Sequence, residues 1–177
     1  MKKIVVLLAI LLTCGIFHNN AMAEEPSGYG ISFGYGQADP DIDIYRLGLK
    51  KDFGTQWLKN NLGYFSGFYE LSFNHWEHKT KDINGIAFSP VFAWYFGDRS
   101  DFVRPYIEGG IGVTCIDEYH IADRNLSTNF QFEDRIGAGV KIGFVDLNFS
   151  YMHYSNASIK EPNHGIDILI FTTAVQF

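Results

Sequence analysis

Cysteine is scarce: two stand in 177 residues, and one of them, Cys14, lies in the apolar N-terminal run. With Cys115 alone in the remainder, an exported chain has no intrachain disulfide and no cysteine-based metal site. Basic residues are outnumbered, 14 Lys and Arg against 20 Asp and Glu, for a net charge of −6. That balance argues against nucleic acid as a partner and gives no steering toward anionic lipid. Beyond the N-terminus no stretch approaches 18 consecutive apolar residues, which excludes a transmembrane helix there. A helical period is almost absent after Tyr29. Aromatic residues and glycine, by contrast, are abundant: 16 Phe, 10 Tyr, 3 Trp and 18 Gly. That excess suits a membrane barrel better than a soluble periplasmic domain.

The N-terminus reads as an export signal. Lys2 and Lys3 supply a charged start, Ile4 to Leu12 an apolar run too short to span a bilayer, and Ala21-Met22-Ala23 a cleavage site. Residues 1–23 are therefore expected to be a signal peptide, and residues 24–177 a single domain that starts at Glu24.

From Tyr29 onward the chain alternates with period two in eight runs of around ten residues, the length a tilted strand needs to cross the hydrocarbon. Val145 to Tyr151 is the cleanest: Val145, Leu147, Phe149 and Tyr151 alternate with Asp146, Asn148 and Ser150. Ile31, Phe33 and Tyr35 alternate with Gly and Ser, and Tyr45, Leu47 and Leu49 with Arg46, Gly48 and Lys50. Later runs set Ile107, Ile111 and Val113 against Glu108, Gly110 and Gly112, and Ile136 and Val140 against Arg135 and Lys141. A soluble barrel turns its large apolar residues inward. Here the second set is small or charged, which suits a narrow salt-bridged lumen, and the apolar set suits lipid. The expected fold is all-β, an eight-stranded antiparallel up-and-down transmembrane barrel closing on Phe177. Pro90 interrupts the fourth run and predicts a bulge, since a closed barrel has no edge strand to hold it. Glu70, Glu108, Glu133, Arg46, Arg104 and Arg135 are expected to pair inside the lumen, because buried charges are tolerable only in pairs.

Short turns at Gly97–Ser100 and Gly143-Phe144, with the termini, define one end, and longer polar connections the other. Barrel asymmetry makes the first end periplasmic and the second extracellular, which leaves the connection from Asp52 to Asn61 long for its side.

Chemistry concentrates at the extracellular end of the last two runs. His153 and Ser155 share parity with Tyr151 and so face lipid; Asp167 shares parity with Leu169 and Phe177. A hydroxyl, an imidazole and a carboxylate on one patch are the parts of a nucleophile–base–acid unit. The plainer reading, three polar residues in an interfacial rim, remains open on these residues alone. Asp134 is a rival acid, because a two-residue turn at Gly143-Phe144 places it opposite His153. His75 and His78 lack a third ligand, so no metal is expected. A non-enzymatic barrel, an adhesin or a membrane-stabilising protein, is the alternative from another class.

At this point the chain resembles the lipid A 3-O-deacylases of the outer membrane (PagL type). The resemblance is carried by His153-Tyr154-Ser155-Asn156-Ala157, by Pro162-Asn163-x-Gly165-Ile166 with an acid at 167, and by the strands Phe132–Gly139 and Pro105–Gly112. It implies an ester hydrolase that removes the 3-hydroxyacyl chain of lipid A, with Ser155 as nucleophile, His153 as base and Asp167 as orienting acid. It further implies that Asn156, Asn163 and the N–H groups of the Ala157–Ser158 turn serve the oxyanion. The family's acid is typically Glu, so Asp167 is one methylene short. No cofactor is implied; the partners are lipid A and the surrounding outer-membrane lipids, with self-association open. An acyltransferase is the enzymatic alternative.

Overall fold

In a computed structural model, residues 28–177 are described, and the expected signal peptide at residues 1–23 lies outside them. Eight antiparallel strands follow one another around a closed barrel: β1 (Tyr29–Ala38), β2 (Ile42–Asp52), β3 (Gly63–Glu77), β4 (Ile83–Phe96), β5 (Val103–Ile116), β6 (Phe130–Ile142), β7 (Val145–Ser155) and β8 (Ile166–Gln176). Each pairs with its neighbours in sequence, and β1 closes on β8 from Gly30↔Gln176 to Gln37↔Leu169. The strands run from 10 to 15 residues, and closure leaves no exposed edge.

Parity sorts the side chains as the alternation predicts. Leu47, Leu49, Phe73, Ile107, Phe149 and Leu169 stand on the outer wall, while Arg46, Lys50, Glu70, Glu108, Glu133 and Asp146 are buried in the lumen. Arg46 holds Glu133 through two parallel bonds of 2.8 Å and reaches Glu70 at 2.9 Å. Arg135 contacts the same two carboxylates at 2.6 and 3.3 Å. Bidentate geometry of this kind offsets the desolvation of both ions. Arg104 departs from the expected network: its guanidinium donates to the Tyr64 hydroxyl at 3.3 Å, while Lys50 and Asp146, 3.4 Å apart, form a further pair.

The lumen is also not polar throughout. Toward the end with the long polar connections it holds an apolar cluster that includes Ile42, Ile44, Trp76, Ile83, Met152 and Ile168. Near the end with the short turns Tyr64, Tyr95 and Tyr106 pack with Ala93. Pro90 makes no bulge. The β4–β5 ladder stops at Phe88↔Val113 and resumes at Val91↔Gly110 in the same register. The missing N–H costs two rungs without inserting a residue. The long connection from Asp52 to Asn61 folds back on the barrel: Trp57–Asn60 forms a short strand along the start of β3, with Phe53 edge-on to Tyr69 at 4.7 Å.

Candidate active site

The site is built outward from Tyr154. Alternation on β7 buries Met152 and Tyr154 and turns His153 and Ser155 outward. Tyr154 donates its hydroxyl to Glu133 at 2.5 Å, accepts from Arg46 at 3.1 Å and packs edge-on against Trp76 at 4.9 Å. The lumen network thus grips the one residue between His153 and Ser155, which pins both at fixed depth.

The strand registers supply the neighbours. On β8, Asp167 lies directly opposite His153, and the imidazole Nδ1–H donates to Asp167 Oδ1 at 2.6 Å. An in-register cross-strand pair brings the backbones to within about 5.5 Å, so the short Asp side chain reaches without displacement. A carboxylate acceptor fixes the proton on Nδ1 and leaves the Nε2 lone pair free to take a proton. The Tyr151 hydroxyl donates to the same Oδ1 at 2.5 Å. On the opposite side, β6 sets Asp134 across from His153 through the two-residue turn at Gly143-Phe144, yet no hydrogen bond joins them among the described residues. The His153 side chain is 35% exposed and that of Asp167 57%, so the pair sits on the wall and not within it.

Ser155 shares the outer face with His153 and lies opposite Phe132; no hydrogen bond links its hydroxyl to the imidazole among the described residues. Such contacts commonly tighten only when substrate is bound. Beyond Ser155 the chain makes a tight turn, with Ile159 N–H donating to Asn156 O at 3.0 Å and Ala157 and Ser158 both left-handed, at φ 52° and 59°. These are the dihedrals of a type I′ turn, held here without glycine and therefore strained. Among the described residues the N–H groups of Ala157 and Ser158 donate to no protein acceptor. Gly165 has φ 61°, and a Cβ there would stand 2.8 Å from His153 Cε1, so only glycine lets the loop close on the imidazole.

Asn156 is fully buried, and both amide hydrogens are taken, by Leu126 O at 2.9 Å and Lys160 O at 2.8 Å. Its backbone N–H donates to Asn163 Oδ1 at 3.2 Å, which ties Asn163 to the residue that follows the nucleophile. The side-chain donors expected at an oxyanion are thus unequal: among the described residues the Asn163 Nδ2 hydrogens meet no acceptor, while Asn156 spends its own on the loop. The connection between β5 and β6 braces the same loop. His164 N–H donates to Asn125 O and Asn125 N–H to His164 Nδ1, both at 3.2 Å, and Ser127 Oγ donates to Pro162 O. This brace and the Tyr151 contact escaped sequence reasoning. Tyr151 carried a signal, its shared parity with His153; the brace joins residues some 30 to 40 positions apart and carried none.

Two shallow lipid-facing grooves flank the unit. One, of about 640 Å³, runs from Asp134 past Ile136 and Ile111 to Phe92; the other, of about 610 Å³, runs from Asp167 past Leu169 and Phe171 to Tyr35. Tyr151 lines both and forms the ridge between them.

The family model for lipid A 3-O-deacylase (PagL) matches residues 43–176, which include every residue of this unit. The chain belongs to that family. It is 32% identical over 170 residues to the lipid A deacylase PagL of Pseudomonas aeruginosa, covering 94% of each chain. It is 32% identical over 184 residues to the lipid A deacylase PagL of Bordetella bronchiseptica, covering 99% of this chain and 96% of that one. A crystal structure of the outer membrane enzyme PagL superposes with a TM-score of 0.79 at 32% identity, covering 84% of this chain and 99% of the other. The N-terminal β-barrel domain of Pseudomonas aeruginosa OprF, at 15% identity and a TM-score of 0.51, shares the fold alone.

Proposed function

We propose that this protein is an outer-membrane esterase that hydrolyses the 3-O-linked hydroxyacyl chain of lipid A through Ser155, His153 and Asp167. Family membership carries the activity, and the 2.6 Å bond from His153 Nδ1–H to Asp167 carries the assignment of roles. Ser155 Oγ attacks the ester carbonyl while His153 Nε2 takes its proton, and Asp167 holds the imidazole in the required tautomer and stabilises the imidazolium. The oxyanion then meets the N–H groups of Ala157 and Ser158 and the Asn163 amide, while Asn156 holds that turn in place. Expulsion of the sugar oxygen takes the proton back from Nε2. A water activated by the same imidazole then frees the fatty acid from Ser155.

Placement on the outer wall suits the substrate. Drawing an acyl chain out of the leaflet costs about 0.8 kcal/mol per CH₂, and a site that faces the leaflet avoids that step. Donors aimed at a desolvated oxyanion are also worth more than in water. Residues 1–23 serve as the export signal in this reading, and the mature barrel acts from the outer membrane with no cofactor.

The test is mass spectrometry of lipid A incubated with the folded protein in detergent. Hydrolysis predicts loss of one hydroxyacyl mass with the free fatty acid appearing in step. An acyltransferase would move that mass to a lipid acceptor, and an adhesin would leave the profile unchanged; either result removes the hydrolase reading.

A further inference from the structure

Among the contacts at the site, the one from Tyr151 has no assigned purpose. Its ring lies on the lipid-facing wall of β7, two residues before His153, with Leu169 directly opposite and Asp167 on the diagonal. From there the hydroxyl donates at 2.5 Å to Oδ1 of Asp167, the same oxygen that accepts from His153 Nδ1 at 2.6 Å. Among the described residues these two bonds are the only ones to the Asp167 carboxylate. At 57% exposure, packing does little to hold it. A carboxylate on a short stem with one partner can swing about two torsions. A second donor on a stiff ring, reaching it from a fixed strand, removes that freedom.

We propose that Tyr151 is a positioning residue for the reaction: its hydroxyl clamps Asp167 in the rotamer that orients His153. The clamp works through Asp167 alone, since Tyr151 touches neither the imidazole nor the serine by any hydrogen bond among the described residues. Tyr151 also lines both grooves with its ring, so its hydroxyl and its ring have separable effects. Tyr151→Phe removes the clamp and keeps the ridge.

This inference rests on the serine-hydrolase reading, and the experiment separates the two. Acyl release from lipid A would be followed in detergent for the wild type, Tyr151→Phe, Asp167→Asn and the double variant, with heat-modifiable gel mobility as the check on folding. The clamp predicts that Tyr151→Phe lowers kcat about tenfold and leaves KM within twofold, because an orienting interaction acts in the transition state and not on binding. It further predicts that the double variant is no slower than Asp167→Asn, since residues acting as one unit are not additive. A Tyr151→Phe enzyme within twofold of wild type overturns the clamp, as does a further tenfold loss in the double variant or an effect confined to KM. Ser155→Ala runs alongside: if it stays active, the assignment of Ser155 as nucleophile has failed and the clamp with it.

Discussion

Single side chains decide the chemistry, and four substitutions separate their roles. Ser155→Ala and His153→Ala should each lower deacylation by roughly 10³- to 10⁶-fold, because members of such a unit each cost nearly as much as the whole. Both barrels should still fold, since these side chains lie outside the lumen network; acyl-release rates beside heat-modifiable mobility check this. For the acid, Asp167→Asn should cost about 10⁴-fold by favouring the wrong imidazole tautomer. Asp134→Asn should remain within a few-fold of wild type, because Nδ1 already donates to Asp167. A collapse at Asp134 with Asp167→Asn near wild type would move the acid to β6. At this scale parity was legible: His153, Ser155 and Asp167 could be set on one face because β7 and β8 run in register without a bulge. The reach of Asp167 was not legible, because it depends on the β7–β8 register and not on side-chain length.

The strands and their connections turn those residues into a site. β7 is held from inside by Tyr154, and the loop after it from outside by the brace of Asn125 and Ser127. Asn156→Ala removes two buried hydrogen bonds and leaves Lys160 O without its donor, while Leu126 O keeps the Thr128 N–H and the Gln131 amide. An unsatisfied buried polar group costs about 1–3 kcal/mol, so the turn at Ala157–Ser158, already strained, should loosen. Deacylation should fall at least tenfold, with faster amide exchange in residues 156–165 and no change in the strands. Unchanged exchange with lost activity would instead make the Asn156 amide a direct ligand of the substrate. Local pattern revealed the strands, the turn at Gly143-Phe144 and the outward faces, because all three follow from period two and turn chemistry. Pro90 misled because the absence of a donor and the presence of an extra residue look alike in one chain; only pairing tells them apart. The fold-back strand at Trp57–Asn60 is short and pairs on one side, so its alternation was too brief to stand out.

For the whole molecule, two opposite solvents organise the barrel: hydrocarbon outside and paired charge within. Removing one member of the lumen network should therefore unfold it far more readily than removing an exposed pair. Arg46→Ala leaves Glu133 and Glu70 to share Arg135 as their remaining ion-pair partner and should cost about 3–5 kcal/mol, read as a lower urea midpoint for the barrel in detergent. Lys79→Ala, which removes an exposed pair with Asp41, should leave that midpoint where it is. The charged middle of the lumen was legible from the sequence. Its apolar upper part was not, because Ile166, Ile168 and Ile170 on β8 make that strand apolar on both faces and erase the alternation. The central claim is that the ester is attacked from the lipid-facing wall by Ser155. The most direct measurement is labelling of the folded barrel with a long-chain alkyl fluorophosphonate, followed by peptide mass spectrometry. A single adduct on Ser155, absent in Ser155→Ala and formed far more slowly in His153→Ala, is the predicted result. An unlabelled Ser155 in protein that deacylates lipid A, or an adduct on another residue that tracks the activity, would contradict it.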